Sequence, residues 1–400
     1  MNKYNTISIS PFSSSTEKEH YLLSCNGRYF EVNQPLAELL TDLQQNETQE
    51  AAIQTYINKK EGKYTFEQTE SLIKKHIDPL LTIPKEKECT FLYEKELLTA
   101  ATVERFSKRF SFLFNRKFMW SLLSIATIMD IFFFINVPDL LVFNNRANAF
   151  GMAGLLIFML VSSFFHELGH ASACKYCGVK HGSIGFGIYL NFPVLYTDVT
   201  EIWKLNRKQR FMVNIAGVYF QCFFLIVLLV GFWMTGDDML RYMILILNLG
   251  FLMTLNPFFK FDGYWIVSDL LGVPSLRKRS IEIIKYYWYR IMRRRIQQMP
   301  YLLRIGLAER WGLAIYAVIV NFFMGYYFIY IIPRFLYNFL LSFPREMQEL
   351  ILYLSNTLTP PFALMRNIGI QLLFLALLGY LFTKMIRSLK KQNSKNGEQA

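Results

Sequence analysis

Residues 162–171 read Ser-Ser-Phe-Phe-His-Glu-Leu-Gly-His-Ala and place a His-Glu-x-x-His motif inside an apolar run. Residues four apart share one face of a helix, so His166 and His170 can hold one metal ion. Two imidazoles and a carboxylate cost free energy when they are placed in lipid, and binding one zinc ion together would offset that cost. The motif predicts a zinc hydrolase with Glu167 as its catalytic base; the alternative is a structural role.

The overall composition is that of a membrane protein with some soluble sequence. Of the 400 residues, 53% are hydrophobic and 16% aromatic, and the mean hydropathy is +0.23. The formal charge is +13, yet residues 1–100 hold eleven Lys and Arg against fifteen Asp and Glu. The positive charge therefore lies beside the later apolar runs. This position favours a role in membrane topology and in contacts with anionic lipid over a role in binding nucleic acid. No cleavable signal peptide is visible, so the first region is expected to stay in the cytoplasm.

Six apolar runs predict a mainly α fold, a polytopic membrane helical bundle. The runs lie at residues 118–137, 149–176, 210–234, 240–255, 311–332 and 362–382. Basic residues precede the first run and follow the last, so both termini are predicted to be cytoplasmic, with His166 and His170 near that side. Asp130, inside the first run, is either functional or only solvated near a helix end. Residues 182–194 are too short and broken for a crossing helix and predict a strand pair or a re-entrant element.

A third metal ligand is predicted at the end of the fourth run. Residues 255–263 read Leu-Asn-Pro-Phe-Phe-Lys-Phe-Asp-Gly. Counting crossings puts this segment on the same side as His166 and His170, so Asp262 can complete the site and leave a fourth position for water. Zinc lowers the pKa of such a water to about 7. Two histidines and one carboxylate suit zinc well, although they do not exclude another divalent ion.

Taken together, the two motifs resemble the site-2 protease family of intramembrane zinc metalloproteases, which pairs a His-Glu-x-x-His helix with a later Asp-Gly carboxylate. The resemblance covers residues 118–275. It extends to the peptide-processing branch of that family through residues 192–199, Phe-Pro-Val-Leu-Tyr-Thr-Asp-Val, and Trp203. It implies that Asn256 contacts the substrate or the oxyanion. Many members place the proline further along, whereas here Pro257 directly follows Asn256, so the match rests on Asp262 more than on Asn256.

Residues 20–83 are predicted to form a winged-helix-like α+β soluble domain. Asn26-Gly27 predicts a hairpin turn, Asn33 predicts a helix cap, and two further helices are expected at 49–59 and 65–81. Residues 27–40 resemble the PqqD-like modules that recognise leader peptides, which implies capture of an extended peptide as an added strand. A plain structural domain and a DNA-binding winged helix are the alternatives, and the negative charge opposes the second.

The remaining boundaries follow from charge and hydropathy. Residues 1–19 are predicted to be a disordered N-terminus, 84–117 a linker with a basic collar, and 118–275 the metalloprotease core. Residues 276–305 predict a basic interfacial segment that meets anionic lipid, 306–386 the C-terminal transmembrane helices, and 387–400 a cytoplasmic tail. Cys174 and Cys177 are expected to be reduced structural residues near a helix end.

The predicted function is that of a zinc-dependent intramembrane endopeptidase in the cell membrane, with its active site toward the cytoplasm. By resemblance, it processes a ribosomally synthesised modified peptide or its leader before or during export. Its expected partners are a peptide or membrane-protein substrate, anionic lipids, a peptide-modifying enzyme and an exporter, with no nucleic acid. Two alternatives stay open: cleavage of a membrane-tethered regulator, and a non-catalytic peptide receptor or export accessory. Glu167 favours catalysis, because binding alone does not need a base.

Overall fold

The computed structural model describes residues 3–14, 19–81, 93–137, 140, 149–189, 192–293, 300–356 and 359–397. The chain divides into two compact units. The larger unit comprises Met1–Glu88, Glu96–Gly185 and Leu195–Ala317. The smaller unit comprises Cys89–Lys95, Phe186–Val194 and Val318–Ala400. Every residue predicted for the metal site belongs to the larger unit.

A three-stranded antiparallel sheet opens the chain, in the order β1, β2, β3. The strands are β1 (Ser8–Phe12), β2 (His20–Cys25) and β3 (Arg28–Asn33). The predicted hairpin is confirmed, because Asn26 and Gly27 have φ angles of 51° and 78° between β2 and β3. Two consecutive positive φ angles are what a type I′ hairpin turn requires, and only residues such as Asn and Gly adopt them readily.

Strand β1 corrects the prediction of a disordered N-terminus. Residues 8–12 pair with β2, and the residues just before them are anchored in the core of the module. Tyr4 is 3% exposed and Ile7 is 1% exposed. Burial of two large apolar side chains ties down a segment whose Ser-rich composition suggested disorder.

The helices of the N-terminal module follow the sheet. They are α1 (Gln34–Gln45), α2 (Gln49–Lys59), α3 (Phe66–Leu72) and α4 (Asp78–Leu81), with a π-helical turn at Ile73–Ile77 between the last two. The predicted cap is confirmed, since the Asn33 side chain accepts a hydrogen bond from the Leu36 N–H at 3.3 Å. Leu39 and Leu40, on the apolar face of α1, are fully buried against the sheet and the other helices.

Regular structure also occupies part of the predicted linker. Strand β4 spans Tyr93–Leu98 and helix α5 spans Ala100–Phe110, so the linker prediction is wrong for these residues, while residues 82–92 lie outside the described ranges. Val103 is fully buried on the inner face of α5. Glu104, on the same helix, pairs with Lys175 and lies 3.0 Å from Nε2 of His181. These contacts hold α5 on the metal-site region.

The membrane-type region contains the remaining elements. They are α6 (Arg116–Asn136), α7 (Ala149–Tyr176), β5 (Ile184–Tyr189), β6 (Phe192–Thr197), α8 (Arg207–Thr235), α9 (Asp238–Thr254), α10 (Asp262–Leu271), α11 (Leu276–Ile291), α12 (Leu307–Tyr326), α13 (Ile332–Ser355) and α14 (Phe362–Gly397). The predicted strand pair is confirmed as β5 and β6, which join β4 in a sheet of order β4, β5, β6. Helix α8 packs against α6, α7, α9 and α10, so it is the centre of the larger unit.

Five helical stretches within the described residues are long and apolar enough to cross a membrane. They are Arg116–Asn136, Ala153–Tyr176, Arg207–Thr235, Leu307–Ser355 and Ala363–Tyr380. The remaining predicted span corresponds to α9, which has 17 residues and falls short of the roughly 20 that cross a bilayer.

Two C-terminal helices extend beyond the predicted spans. A π-helical turn at Tyr327–Ile331 joins α12 to α13, so the helix continues past the predicted end of the fifth span at residue 332. Helix α14 likewise continues to Gly397, so most of the predicted tail is helical. Polar and charged residues do not by themselves end a helix, since Lys, Arg and Gln are good helix formers.

Arg210, in the first turn of α8, attaches the N-terminal module to this region. Its side chain is 3% exposed, and its guanidinium lies 5.2 Å from the ring centre of Phe12 at the end of β1. Arg210 Nη2 donates to the Ser13 carbonyl at 3.1 Å, and Nε donates to Asp269 Oδ1 on α10 at 2.6 Å. Asn214 donates to the other carboxylate oxygen of Asp269 at 2.8 Å. One buried cation therefore joins β1, α8 and α10.

We predict that Arg210→Met lowers the free energy of unfolding by about 3–5 kcal/mol, because it leaves the buried Asp269 carboxylate without its cation. Thermal unfolding in detergent, with limited proteolysis of residues 1–20 as a second readout, would measure this. Lys208→Met is the matched control, since Lys208 is exposed two residues away on the same helix. Equal unfolding midpoints for the two variants would contradict the prediction.

Candidate metal centre

Helix α7 presents His166 and His170 on one face, one turn apart, as their spacing predicts. The two Nε2 atoms lie 3.1 Å from each other. His170 is the more enclosed residue at 7% exposed, and His166 is partly buried. Neighbouring residues of α7, Leu168 and Ala173, belong to the apolar cluster that packs this helix on α8. The helix is thereby fixed with its histidine face toward the inside.

Asp262 comes from a different element, as the first residue of α10. Its Oδ2 atom lies 3.0 Å from His166 Nε2 and 3.2 Å from His170 Nε2. Burial raises the pKa of the Asp262 carboxyl, but without a metal the two imidazoles, in their protonated form, outweigh burial and hold that pKa well below its usual range. The helix N-terminus also favours a negative charge at this position. Asp262 is therefore ionised, as a metal ligand must be.

The outer nitrogens of both histidines decide which ring atoms carry protons. His170 Nδ1 lies 2.7 Å from the carbonyl oxygen of Val213 on α8. Because a carbonyl can only accept, His170 Nδ1 carries a proton, and the Nε2 of a neutral ring is left with a lone pair. His166 Nδ1 lies 3.1 Å from Oε1 of Gln221, which also accepts. In their neutral form, which metal binding requires, both histidines direct an unprotonated Nε2 toward Asp262.

The site fits a metal ion by this chemistry and by its dimensions. Three acceptor atoms, two imidazole nitrogens and one carboxylate oxygen, converge with separations of 3.0, 3.1 and 3.2 Å. Lone pairs brought this close repel each other unless a proton or a cation lies between them. Ligand atoms at about 2.0–2.1 Å from a tetrahedral zinc are about 3.3 Å apart, close to the separations observed. His166, His170 and Asp262 could thus hold a metal ion.

Glu167 lies beside these three residues. Its carboxylate is close enough to interact electrostatically with His166, His170 and Asp262. Thr197, the last residue of β6, donates its hydroxyl to the Glu167 carbonyl oxygen at 3.2 Å and also interacts with the carboxylate. The end of β6 therefore meets the metal centre at its predicted base. The catalytic role of Glu167 stays a prediction at this level.

Asn256 lies on the loop between α9 and α10, where it lines a cavity of about 490 Å³. Its Oδ1 atom accepts a hydrogen bond from the Phe258 N–H at 2.8 Å, and its Nδ2 makes no hydrogen bond with any described residue. No hydrogen bond in the described ranges joins Asn256 to the three candidate ligands. Asn248 lines the same cavity and donates to Asp130 at 2.9 Å. Asp130 therefore has a structural partner on α9, apart from the metal centre.

The sequence reasoning missed two residues of α8 that contact His166. Gly217 lies flat against the imidazole, so that a Cβ placed on it would be 2.3 Å from Cε1 of His166. Gln221, one turn later, is the partner of His166 Nδ1. In the sequence, Gln221 stands out as a single amide next to an apolar run. Its role could not be predicted from that alone, because it depends on α8 packing against α7. Cys174 and Cys177 are free cysteines in the apolar cluster around α7, as predicted for structural residues.

The chain is similar in amino-acid sequence to a bacterial protein. A protein of Bacillus subtilis (strain 168), described as "Putative peptide zinc metalloprotease protein YydH", is 24% identical over 220 residues. The alignment covers 53% of this chain and 84% of that protein. No family model matches the chain, and no solved structure matches it significantly.

We predict that Gly217→Ala weakens zinc binding, because the added methyl group occupies the position of the His166 ring and must push it away from Asp262. Zinc content after purification and competition with a chromogenic chelator would measure the loss. Gly250→Ala on α9 is the matched control, since a Cβ at that position meets nothing within 4 Å. Zinc affinity equal to that of Gly250→Ala would refute this account of Gly217.

Proposed function

We propose that this protein is a zinc-dependent endopeptidase that cleaves peptide substrates at a membrane. The observation that carries the proposal is the convergence of three acceptor atoms from His166, His170 and Asp262 beside the carboxylate of Glu167. This set of side chains is typical of a hydrolytic metal centre, which has three protein ligands, an open position and a general base. The Bacillus subtilis relative is described as a peptide zinc metalloprotease, which supports the same class of enzyme.

The residues around the centre have distinct roles in the proposed reaction. A zinc ion bound by the three ligands supplies a Lewis acid and makes water nucleophilic near neutral pH. Glu167 takes the proton from the attacking water and returns it to the leaving amine as the peptide bond breaks. Thr197 donates its hydroxyl to the backbone carbonyl of Glu167 and so holds the end of β6 beside the base. The Nδ2 group of Asn256, which has no other partner in the described residues, is our candidate donor to the developing oxyanion.

Strand β6 offers a way to hold the substrate. It is the last strand in the order β4, β5, β6, and its final residue contacts Glu167. An extended peptide that pairs with the outer edge of Leu195–Thr197 would have its backbone carbonyls beside the base and the ligands. A helical substrate must unwind before it can bind in this way, because its carbonyls are otherwise committed to the helix.

The apolar helices support a location in the cell membrane. We propose a multi-pass protein with cytoplasmic termini and a centre near the cytoplasmic face, as the positions of the basic residues beside the apolar runs indicate. Helix α11 fits the membrane surface, because its outward side carries an apolar stripe flanked by the lysines Lys278 and Lys285. The stripe consists of Ile281, Ile284, Trp288 and Ile291, all exposed. Apolar side chains with an interfacial tryptophan and flanking lysines suit anionic lipid headgroups.

The N-terminal module fits a role in substrate choice. Its sheet ends in β3, and an extended leader peptide can pair with the edge of that strand. We propose that this PqqD-like module captures the leader of a ribosomally synthesised modified peptide, and that a modifying enzyme and an exporter act on the same peptide. The Phe12 and Arg210 contacts support this role, because they attach the module to the catalytic unit.

We predict that Glu167→Gln abolishes cleavage while zinc stays bound, because the amide keeps the size of the side chain but cannot accept the proton. Removal of a general base costs about 10²–10⁴-fold in rate. The measurement is cleavage of a precursor peptide encoded near this protein, in liposomes, with zinc content determined for both proteins. A chelator should stop the wild type, and added zinc should restore it. If both proteins bind zinc and peptide but neither cleaves, a receptor or export accessory becomes the better assignment.

The same assay separates the finer parts of the proposal. A precursor without its leader should be cleaved more slowly than the full precursor if the N-terminal module captures the leader. Equal rates would remove the module from substrate choice, and cleavage of a membrane-tethered regulator in place of the peptide would favour the regulatory alternative. Liposomes with and without anionic lipid test α11, since only the anionic surface should retain activity in full.

A further inference from the structure

Gln221 is a polar residue in the middle of α8 whose hydrogen bonds all go to α7. The residues around it in sequence, from Phe220 to Gly231, are otherwise apolar. Its Oε1 faces His166 Nδ1 at 3.1 Å, and its Nε2 faces Ser162 Oγ at 2.8 Å. An amide in an apolar helix is costly unless its groups are paired, and here both groups are paired with residues one turn apart on α7.

The surroundings of Ser162 determine which way the Gln221 amide points. The Ser162 carbonyl oxygen lies 3.5 Å from Gln221 Nε2, near the limit for a hydrogen bond. A carbonyl can only accept, so the side of the amide that faces Ser162 must be the NH₂ group. The opposite side, which faces His166, is then the carbonyl oxygen. Ser162 is 3% exposed, so no water layer competes for this contact.

This orientation fixes the protonation of His166. Because Gln221 Oε1 can only accept, the His166 Nδ1 atom must donate, and Nε2 of the neutral ring keeps its lone pair. Within the described residues, His166 Nδ1 has no other hydrogen-bond partner. His170 differs, since its Nδ1 donates to the Val213 carbonyl, a backbone group that no substitution removes. The protonation of His166 thus depends on one side chain.

We infer that Gln221, oriented by Ser162, is a positioning residue that holds His166 in the protonation state and ring orientation that a metal requires. It acts through the outer nitrogen of His166 and, within the described residues, makes no hydrogen bond to the three converging ligand atoms. The role rests on the proposed function, because a metal centre is what makes the protonation state of His166 matter. Partners of this kind typically contribute about 10–100-fold to metal affinity.

The test compares zinc affinity among variants of the full-length protein in detergent. Gln221→Met keeps a similar volume and removes both hydrogen-bonding groups, so it should weaken zinc binding by about 10–100-fold in chelator competition. Gln221→Glu keeps an acceptor for His166 Nδ1 and should bind zinc more tightly than Gln221→Met. Val227→Met, two turns away on α8 and 70% exposed, is the matched control and should bind like the wild type.

Two further readouts separate this role from a loss of folding. The thermal unfolding midpoint of each metal-free variant shows whether the fold survives, and the absorption spectrum of bound Co²⁺ reports the ligand geometry. If Gln221→Met does not fold, Ser162→Ala provides the test, because it leaves the amide in place and removes the hydroxyl that holds its NH₂ group at 2.8 Å. Ser162→Ala should then weaken zinc binding relative to Val227→Met.

The outcomes distinguish this inference from the proposed function. If the wild type binds zinc and Gln221→Met binds it equally well, the positioning role is wrong and the proposed function stands. If Gln221→Met and Gln221→Glu weaken binding to the same extent, the acceptor to His166 is not what matters, and the role is also wrong. If the wild type binds no zinc, the proposed function fails, and the role of Gln221 fails with it.

Discussion

Three acceptor atoms, from His166, His170 and Asp262, lie within 3.2 Å of one another, and the surrounding helices must hold them there. His166 and His170 are neighbours on one helix, so local geometry brings them together. Asp262 lies 92 residues after His170, and it meets the histidines only because α10 is held against α7 and α8. The convergence is unfavourable without a cation, and the surrounding contacts must therefore resist the repulsion among the ligands. Burial, close packing and fixed hydrogen bonds provide that resistance.

Helix α8 packs against both α7, which carries the two histidines, and α10, which carries Asp262. Its middle section contacts the histidine helix through Val213, Gly217 and Gln221, which position the two rings. Its first turn holds α10 through Arg210, whose partner Asp269 lies two turns after the ligand Asp262. One rigid element thus sets the distance between the histidines and the carboxylate. This arrangement is more precise than a site assembled from loops, because a packed helix has few alternative positions.

The N-terminal module is attached to the same support. Phe12 packs on Trp203 with ring centres 6.3 Å apart, and Trp203 meets Trp265 of α10 edge-on at 5.7 Å. Trp265 is one turn after Asp262, so the contacts of β1 reach the helix that carries the third ligand. Tyr29 on β3 adds a hydrogen bond of 3.1 Å to Glu201. The module is therefore packed onto the helices that carry the candidate metal centre, where the sequence suggested a separate domain joined by a linker.

Features with a local cause could be predicted from the amino-acid sequence. Residue spacing predicted the histidine pair, Asn-Gly predicted the hairpin, Asn33 predicted a helix cap, and the apolar runs predicted most of the long helices. The remaining features could not be predicted, because they depend on which faces of the helices and strands meet. The contacts of Gly217 and Gln221 with His166 exist only because α8 packs against α7. Strand β1 is held by pairing with β2 and by the burial of Tyr4 and Ile7 in the core of the module. The Arg210 junction likewise depends on contacts between residues far apart in the sequence, from Ser13 to Asp269.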